Sequence, residues 1–328
     1  MLKCKVWGWY SKHNVGDESY KLSFPRLFPD VHFDFDGTQG EYDLCILGGG
    51  DILDEHYVRK ALDCSCQKRY IVSVSAGSRT PLDLLGGFDG IYVRDRRSEE
   101  YLKNHGVDCQ FMPDVAMCLQ PVVSNGHEIL RRKFSEEGLE LYERRIGVVL
   151  NAHLLHAKEG LLARDFITFL KAVQDFAKLA DETNASFVFF PMSSGMPYDD
   201  RISNGFLASR CKFWKKNWLV QDRLSVQETL DLISACDMII STRLHSSIFS
   251  LISHVPFVDV VHHDKNRSFL ETMHLDGHGL SYWSFSFEEL KGVLDGMFGS
   301  LEAHVQKLCW KTQHCVDVIT REAKCMFR

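Results

Sequence analysis

Residues 238–261 read MIISTRLHSSIFSLISHVPFVDVV. Met238–Ile240 has the length and apolar character of a buried strand, Leu244–His254 that of an apolar helix, and Pro256–Val261 that of a second strand. A strand, a helix and a strand in so short a span form a unit of a parallel sheet. Arg243 and His245 then fall where the strand ends and the helix begins. In open α/β sheets ligands bind at the carboxyl ends of strands, and a helix N-terminus favours anions. A guanidinium and an imidazole at that point suit a phosphorylated or carboxylated substrate.

The same alternation extends in both directions. Leu2–Trp7, Val31–Phe35, Leu44–Leu47, Tyr70–Val74 and Gly90–Val93 read as strands, with amphipathic stretches at Ile52–Leu62 and Arg97–His105. Residues 121–145 are polar and highly charged, and are expected to connect two domains, 1–120 and 146–328. Strands resume at Ile146–Leu150, Ser186–Phe190 and Trp218–Val220, with helices at Asp165–Leu179 and Ser225–Ala235. Ser225 and Glu228 have capping-box spacing. A terminal helix over about Leu301–Arg321 is expected to reach back to the first domain. The pattern predicts an α/β protein with two Rossmann-like, doubly wound lobes facing a cleft. At 328 residues the chain exceeds what one core usually supports.

Composition narrows the function. A net charge of −6 argues against a general nucleic-acid binder. No apolar run of about eighteen residues is present, so no transmembrane segment is expected. The stretch MLKCKVWGWYSKHN lacks the apolar core of a signal peptide, so a cytoplasmic location is expected. The 11 cysteines are scattered, and Cys64 and Cys66 have one residue between them rather than the two of common zinc or redox motifs. Free structural thiols and no metal are expected. His262, His263 and Asp264 are adjacent, and neighbours on an extended chain point to opposite sides.

Three further segments put glycine or charge where a strand ends. In GWYSKHNVGDESY, residues 8–20, Gly16 permits a turn and Asp17 is placed to cap the following helix. In LCILGGGDIL, residues 44–53, consecutive glycines allow close backbone approach to a ligand. In YVRDRRSEEYLKNHGVD, residues 92–108, Arg94 is the arginine nearest the strand. Lys265 follows in HHDKNRSF, read as a loop after the next strand, and joins Arg243 and His245 as a third cation.

Together these pieces resemble the polysaccharide pyruvyl transferase family: NVGDE at 14–18, LGGG at 47–50, VRDRRS at 93–98, PD at 113–114 and STRLHSSIFS at 241–250. The chain departs from the family at SVSAGSRTPL, residues 73–82, which replaces a glycine-rich turn ending in proline and bears on Ser75, Gly77 and Ser78. The resemblance implies two lobes in a GT-B-like arrangement. It also implies transfer of an enolpyruvyl-derived unit from phosphoenolpyruvate to a sugar as a pyruvate ketal, with phosphoenolpyruvate as co-substrate and no obligatory cofactor. Carried onto this chain, Arg243 and His245 become catalytic. Arg94, Lys265, Asn14, Gly16, Gly49 and Gly50 become donor-binding. Arg243 and Lys265 are expected to hold the phosphate and Arg94 the carboxylate, or the reverse, with His245 as general acid. Asp17, Asp199 and Asp200 are the acceptor-side candidates. Trp7, Trp9, Tyr10 and Tyr198 are aromatics suited to stack on a sugar or to fill a core. The implied acceptor is a glycan, lipid-linked at the inner membrane face. The nearest rival is a nucleotide-sugar glycosyltransferase on the same scaffold using Glu228 or Asp231 for the ribose. A non-catalytic anion-binding protein is the rival of another class.

Overall fold

The computed structural model describes residues 1–35, 40–151, 162–196 and 198–326, with residues 162–165 described by backbone alone. The chain divides into two units, Met1–Leu119 with Thr312–Arg328, and Gln120–Lys311.

Unit 1 runs β1 (Leu2–Trp7), α1 (Val15–Glu18), α2 (Tyr20–Leu27), β2 (Val31–Asp34), β3 (Tyr42–Gly50), α3 (Glu55–Leu62), β4 (Cys66–Val74), β5 (Gly90–Val93), α4 (Arg96–Asn104) and β6 (Gln110–Phe111). Its strands form one sheet in the order β2-β1-β3-β4-β5-β6, with every pairing parallel. The inner strands are near-continuous apolar runs because helices cover both faces; Cys45, Ile46 and Leu47 of β3 are fully buried. Asn14, not Asp17, caps α1: its side chain accepts from the Gly16 N–H, and Asp17 lies within the helix. Asp95 caps α4 by accepting from the Ser98 N–H.

Unit 2 runs α5 (Val123–Glu136), β7 (Arg145–Val149), α6 (Leu162–Glu182), β8 (Ser186–Phe189), α7 (Asp200–Ala208), β9 (Asn217–Leu219), α8 (Val226–Ser234), β10 (Met238–Ser241), α9 (Leu244–Ile252), β11 (Phe257–Val261), α10 (Asp264–Thr272), β12 (Gly279–Ser281) and α11 (Phe287–Gly299). The closing helix α12 (Leu301–Met326) has its residues from Thr312 onward in unit 1. The second sheet is also wholly parallel, in the order β12-β11-β10-β7-β8-β9. Its core is built from Ile146, Val148, Phe187, Ile240, Val258 and neighbouring apolar residues of the sheet and of α6 and α11.

Residues 121–145, read from the sequence as a connection, are mostly part of unit 2's body. The helix α5 lies so close to α8 that a Cβ on Gly126 would sit 1.9 Å from the Asp231 carbonyl oxygen. Only glycine permits that approach. The Asp231 carboxylate then takes the Val122 N–H at 2.6 Å and the Gln227 amide at 2.7 Å. The capping box of Ser225 and Glu228 forms as its spacing predicts. Lys265 lies in the first turn of α10, not in a loop. Short β6 and β12 and the helices α7, α10 and α11 escape the sequence reading because their apolar runs are short or interrupted.

Candidate active site

The carboxyl end of β10 delivers Arg243 to the N-terminus of α9, where it stands at the cap position. Its guanidinium grips Asp200 in two places, Nη2 to Oδ1 at 2.6 Å and Nε to Oδ2 at 3.1 Å. Asp200 is fully buried while the Arg243 side chain keeps 12% of its surface exposed. The backbone N–H groups of Met192 and Ser193 also donate to Asp200 Oδ2, at 3.1 and 3.0 Å. Nη1 of Arg243 has no hydrogen-bond partner among the described residues. The result is a cation fixed on one side and presented on the other, beside the positive end of a helix.

This arrangement revises the acceptor-side expectation for Asp199 and Asp200. Asp200 is spent on Arg243 and on backbone donors, with no exposed surface from which to take a substrate proton. Asp199 caps α7 and pairs with Arg201, Nη2 to Oδ2 at 2.5 Å. The Arg201 guanidinium holds the Asp199 carboxyl below its usual range, which weakens it as a base.

His245 sits in the first turn of α9, half-buried, with its ring edge-on to Phe249. A residue that sequence reasoning missed ties its segment to Lys265. Asp259, on β11, accepts from Ser247 Oγ at 2.8 Å and from Asn266 Nδ2 at 2.9 Å. Ser247 belongs to α9, two residues after His245, and Asn266 to α10, one residue after Lys265. Burial pushes the Asp259 carboxyl up to about 7, against the pull of those two donors. Its only sequence signal is a lone acid in the apolar run FVDVV. The adjacent His262 and His263 rings have centroids 3.8 Å apart, closer than strict alternation on an extended chain gives.

In unit 1 the carboxyl ends of β4 and β5 hold the other arginine. Arg94 is 5% exposed and pairs with Asp114, itself 3% exposed, at 3.2 Å. Its Nε donates to Ser75 Oγ at 3.0 Å, and Ser75 in turn donates to Asp95 at 2.8 Å. The Tyr20 hydroxyl lies 3.4 Å from Arg94 Nη1 and donates to Asp114 at 2.7 Å. Burial works against the Arg94 charge, but Tyr20, Asp114 and Asp95 around it outweigh that and raise its pKa.

Gly49 and Gly50 close this cluster. Both have positive φ, +80° and +91°, and a Cβ on Gly49 would lie 2.3 Å from the Tyr20 ring. The glycines thus let Tyr20 lie over the end of β3 and reach Arg94. Asp17 is buried beside Gly50, its Oδ1 3.0 Å from where a Cβ would stand. Asn14 and Gly16 are joined in the α1 cap. Ser73, at φ 61°, takes a backbone conformation uncommon for serine and accepts from the Val115 N–H at 3.1 Å. Next to it, Ser75, Gly77, Ser78, Arg79, Asp51 and Asp54 line a cavity of about 150 Å³.

Of the aromatic candidates, Tyr10 is buried and its hydroxyl donates to the Gly48 carbonyl, whereas Trp9 is exposed. Trp7 and Tyr198 are half-buried. The rival's acids are both engaged: Glu228 closes the α8 capping box, and Asp231 receives the Val122 N–H. Among the described residues no helix is long and apolar enough to cross a membrane.

A model of the polysaccharide pyruvyl transferase family matches residues 3–264. No curated protein matches the sequence. Solved structures share the fold at low identity. UDP-GlcNAc 2-epimerase from Neisseria meningitidis bound to UDP-GlcNAc superposes with a TM-score of 0.58 at 9% identity, covering 99% of this chain and 100% of that one. Anabaena Alr3699/HepE in complex with UDP-glucose gives 0.57 at 10% identity, with 99% of each chain covered. S. aureus MnaA with UDP gives 0.58 at 8%, covering 94% of this chain and 91% of the other. These likenesses establish a GT-B-like fold of two parallel-sheet α/β lobes.

Proposed function

Since the chain belongs to the polysaccharide pyruvyl transferase family, we propose that it forms a pyruvate ketal on a sugar of a surface or capsular polysaccharide precursor, with phosphoenolpyruvate as donor. The observation that carries this reading is the seating of Arg243. Bidentate pairing with buried Asp200 prevents the guanidinium from swinging away, so its remaining edge is pre-organised for an anionic donor at the start of α9.

In this proposal Arg243 and Lys265 hold the anionic donor, whereas Arg94 is enclosed among Asp114, Ser75 and Tyr20. His245 protonates the methylene carbon, which becomes the methyl group of the ketal. The enol carbon gains oxocarbenium character, and a sugar hydroxyl adds to it. A second hydroxyl of the same sugar then displaces phosphate and closes the ring. Of the two hydroxyl protons, one replaces the proton His245 gave up and the other leaves with phosphate. Asp199 and Asp200 are committed to arginines and are not the groups that activate the acceptor hydroxyl. The chemistry asks for no metal at the transfer site, and turnover is expected to survive chelation. We place the enzyme in the cytoplasm, meeting a lipid-linked glycan at the inner membrane face.

The test is incubation of the purified chain with a glycan acceptor and either phosphoenolpyruvate or a nucleotide sugar, following phosphate and nucleotide release. Acceptor-dependent phosphate release from phosphoenolpyruvate is expected. Nucleotide release from the sugar donor, with none of the phosphate, would transfer the assignment to a glycosyltransferase.

A further inference from the structure

Away from the transfer chemistry, the fold of unit 1 gathers three cysteines that are scattered in the sequence. Cys45 lies within β3, Cys64 just after α3, and Cys66 at the start of β4. Their ligand atoms all lie within 4.8 Å of one another. We propose that Cys45, Cys64 and Cys66 form a binding site for a soft, thiophilic metal ion of the zinc class.

Distance is the first argument. Trigonal or tetrahedral Zn–S bonds of about 2.3 Å put ligand sulfurs roughly 4 Å apart. The side chains therefore need to close by less than about 1 Å to reach bonding positions. A disulfide requires a single pair at about 2.05 Å and leaves the third thiol aside. Three mutual sulfur neighbours are what a coordination site requires.

Charge is the second. Cys45 pairs in register with Lys5 on β1 and with Arg69 on β4, so these three side chains share one face of the sheet. Lys5 is only 2% exposed. Arg69 is tied to the local backbone, donating to the Cys64 carbonyl at 2.7 Å and to that of Ala61 at 3.2 Å. The buried Cys45 thiol donates to the Ala61 carbonyl at 3.7 Å, a proton that metal binding would displace, and the nearby cations favour the thiolates so formed. Three thiolates and a divalent ion leave one net negative charge; Lys5 is paired with Asp34 at 3.5 Å, so Arg69 is the cation that offsets it. Access is the third: Cys45 is buried behind, while Cys64 and Cys66 are half-exposed and give a metal ion a route in. Bound metal would join β3, the loop after α3 and β4, and so stabilise the folded chain.

The experiment uses the full chain, reduced and stripped with chelator, then titrated with Zn²⁺, and with Co²⁺ as a spectroscopic probe. Uptake of about one equivalent is expected, with a thiolate-to-cobalt charge-transfer band and a raised Tm. The double substitution C64S/C66S, at two half-exposed positions, should lose the bound equivalent and the Tm response, while C118S and C309S keep both. The metal-free Tm of the double variant, set against metal-free wild type, reports its folding. No stoichiometric uptake by the wild type, or uptake unchanged in the double variant, overturns the proposal. So does a Cys64–Cys66 disulfide that takes up no metal once reduced.

Discussion

Each unit places an arginine where a parallel strand ends, but the two surround it differently. In unit 2 a single carboxylate does most of the work: Arg243 meets Asp200 through two contacts, with 12% of its side chain still exposed. In unit 1 Arg94 is enclosed to 5% and shared among Asp114, Ser75 and the Tyr20 hydroxyl, with Asp95 one hydrogen bond further on. One cation is braced and presented; the other is distributed over a network. A braced cation with an open edge suits a group that must meet a substrate at a fixed angle. A distributed one suits a group whose position must survive the loss of any single partner.

The largest expected effect tests that contrast directly. Replacing Asp200 with Ala strands a largely buried charge and should cost about 3–5 kcal/mol of stability. Asp114→Ala should cost at least about 1 kcal/mol less, because Ser75 and Asp95 continue to serve Arg94. Equal losses in chemical denaturation would erase the distinction between the two sites.

Next comes the second buried carboxylate of unit 2. The folded-state pKa of Asp259 is raised from 3.8 to about 7, so folding favours its protonated form. Its contribution to stability is present below pH 3.8 and lost as pH rises through about 7. Between those limits the loss is on the order of 4 kcal/mol. Asp259→Asn should remove that pH dependence, read as the difference between variant and wild-type denaturation across the range. A difference with no slope means that the carboxylate is not buried in the way described.

A functional probe of the braced site follows. His245→Ala should lower kcat by at least about 10², near 2.7 kcal/mol, with the donor KM changed far less. Unchanged turnover would remove His245 from the chemistry and leave the arginine as an anchor only.

The smallest effect sharpens the view of unit 1. Gly49→Ala places a methyl group against Tyr20 at φ +80°, and should cost about 1–3 kcal/mol while loosening the cover over Arg94. A variant as stable as wild type would mean that Tyr20 has room to retreat and is not held against Arg94.

Much of this was legible in the chain because it depends on near neighbours. Arg243 and His245 could be placed at a strand end, and Ser225 and Glu228 in a capping box, since helix and strand periods are read over a few residues. The position of Arg94 at a strand end came from the same local grammar, whereas Lys265, read as a loop residue, lies in the first turn of α10. Asn14 displaced Asp17 as the cap because helix starts are uncertain by a residue or two from sequence.

Which partner each buried charge takes was not legible. Asp200 reaches Arg243 across 43 residues and Asp114 reaches Arg94 across 20, and nothing in either local pattern marks the pairing. Asp199 and Asp200 read as acceptor-side candidates, whereas packing buries one against Arg243 and attaches the other to Arg201. Cys64 and Cys66 looked bland because their third neighbour, Cys45, lies on a different strand. The alternation of apolar and amphipathic runs was enough to determine a parallel α/β protein and the strand ends where its chemistry gathers. Only the tertiary structure decided which carboxylates neutralise which arginines and which thiols meet. The reason is physical: apolar burial follows a periodicity written locally, whereas a buried charge is settled by whatever group the fold brings within hydrogen-bonding distance, however far along the chain that group lies.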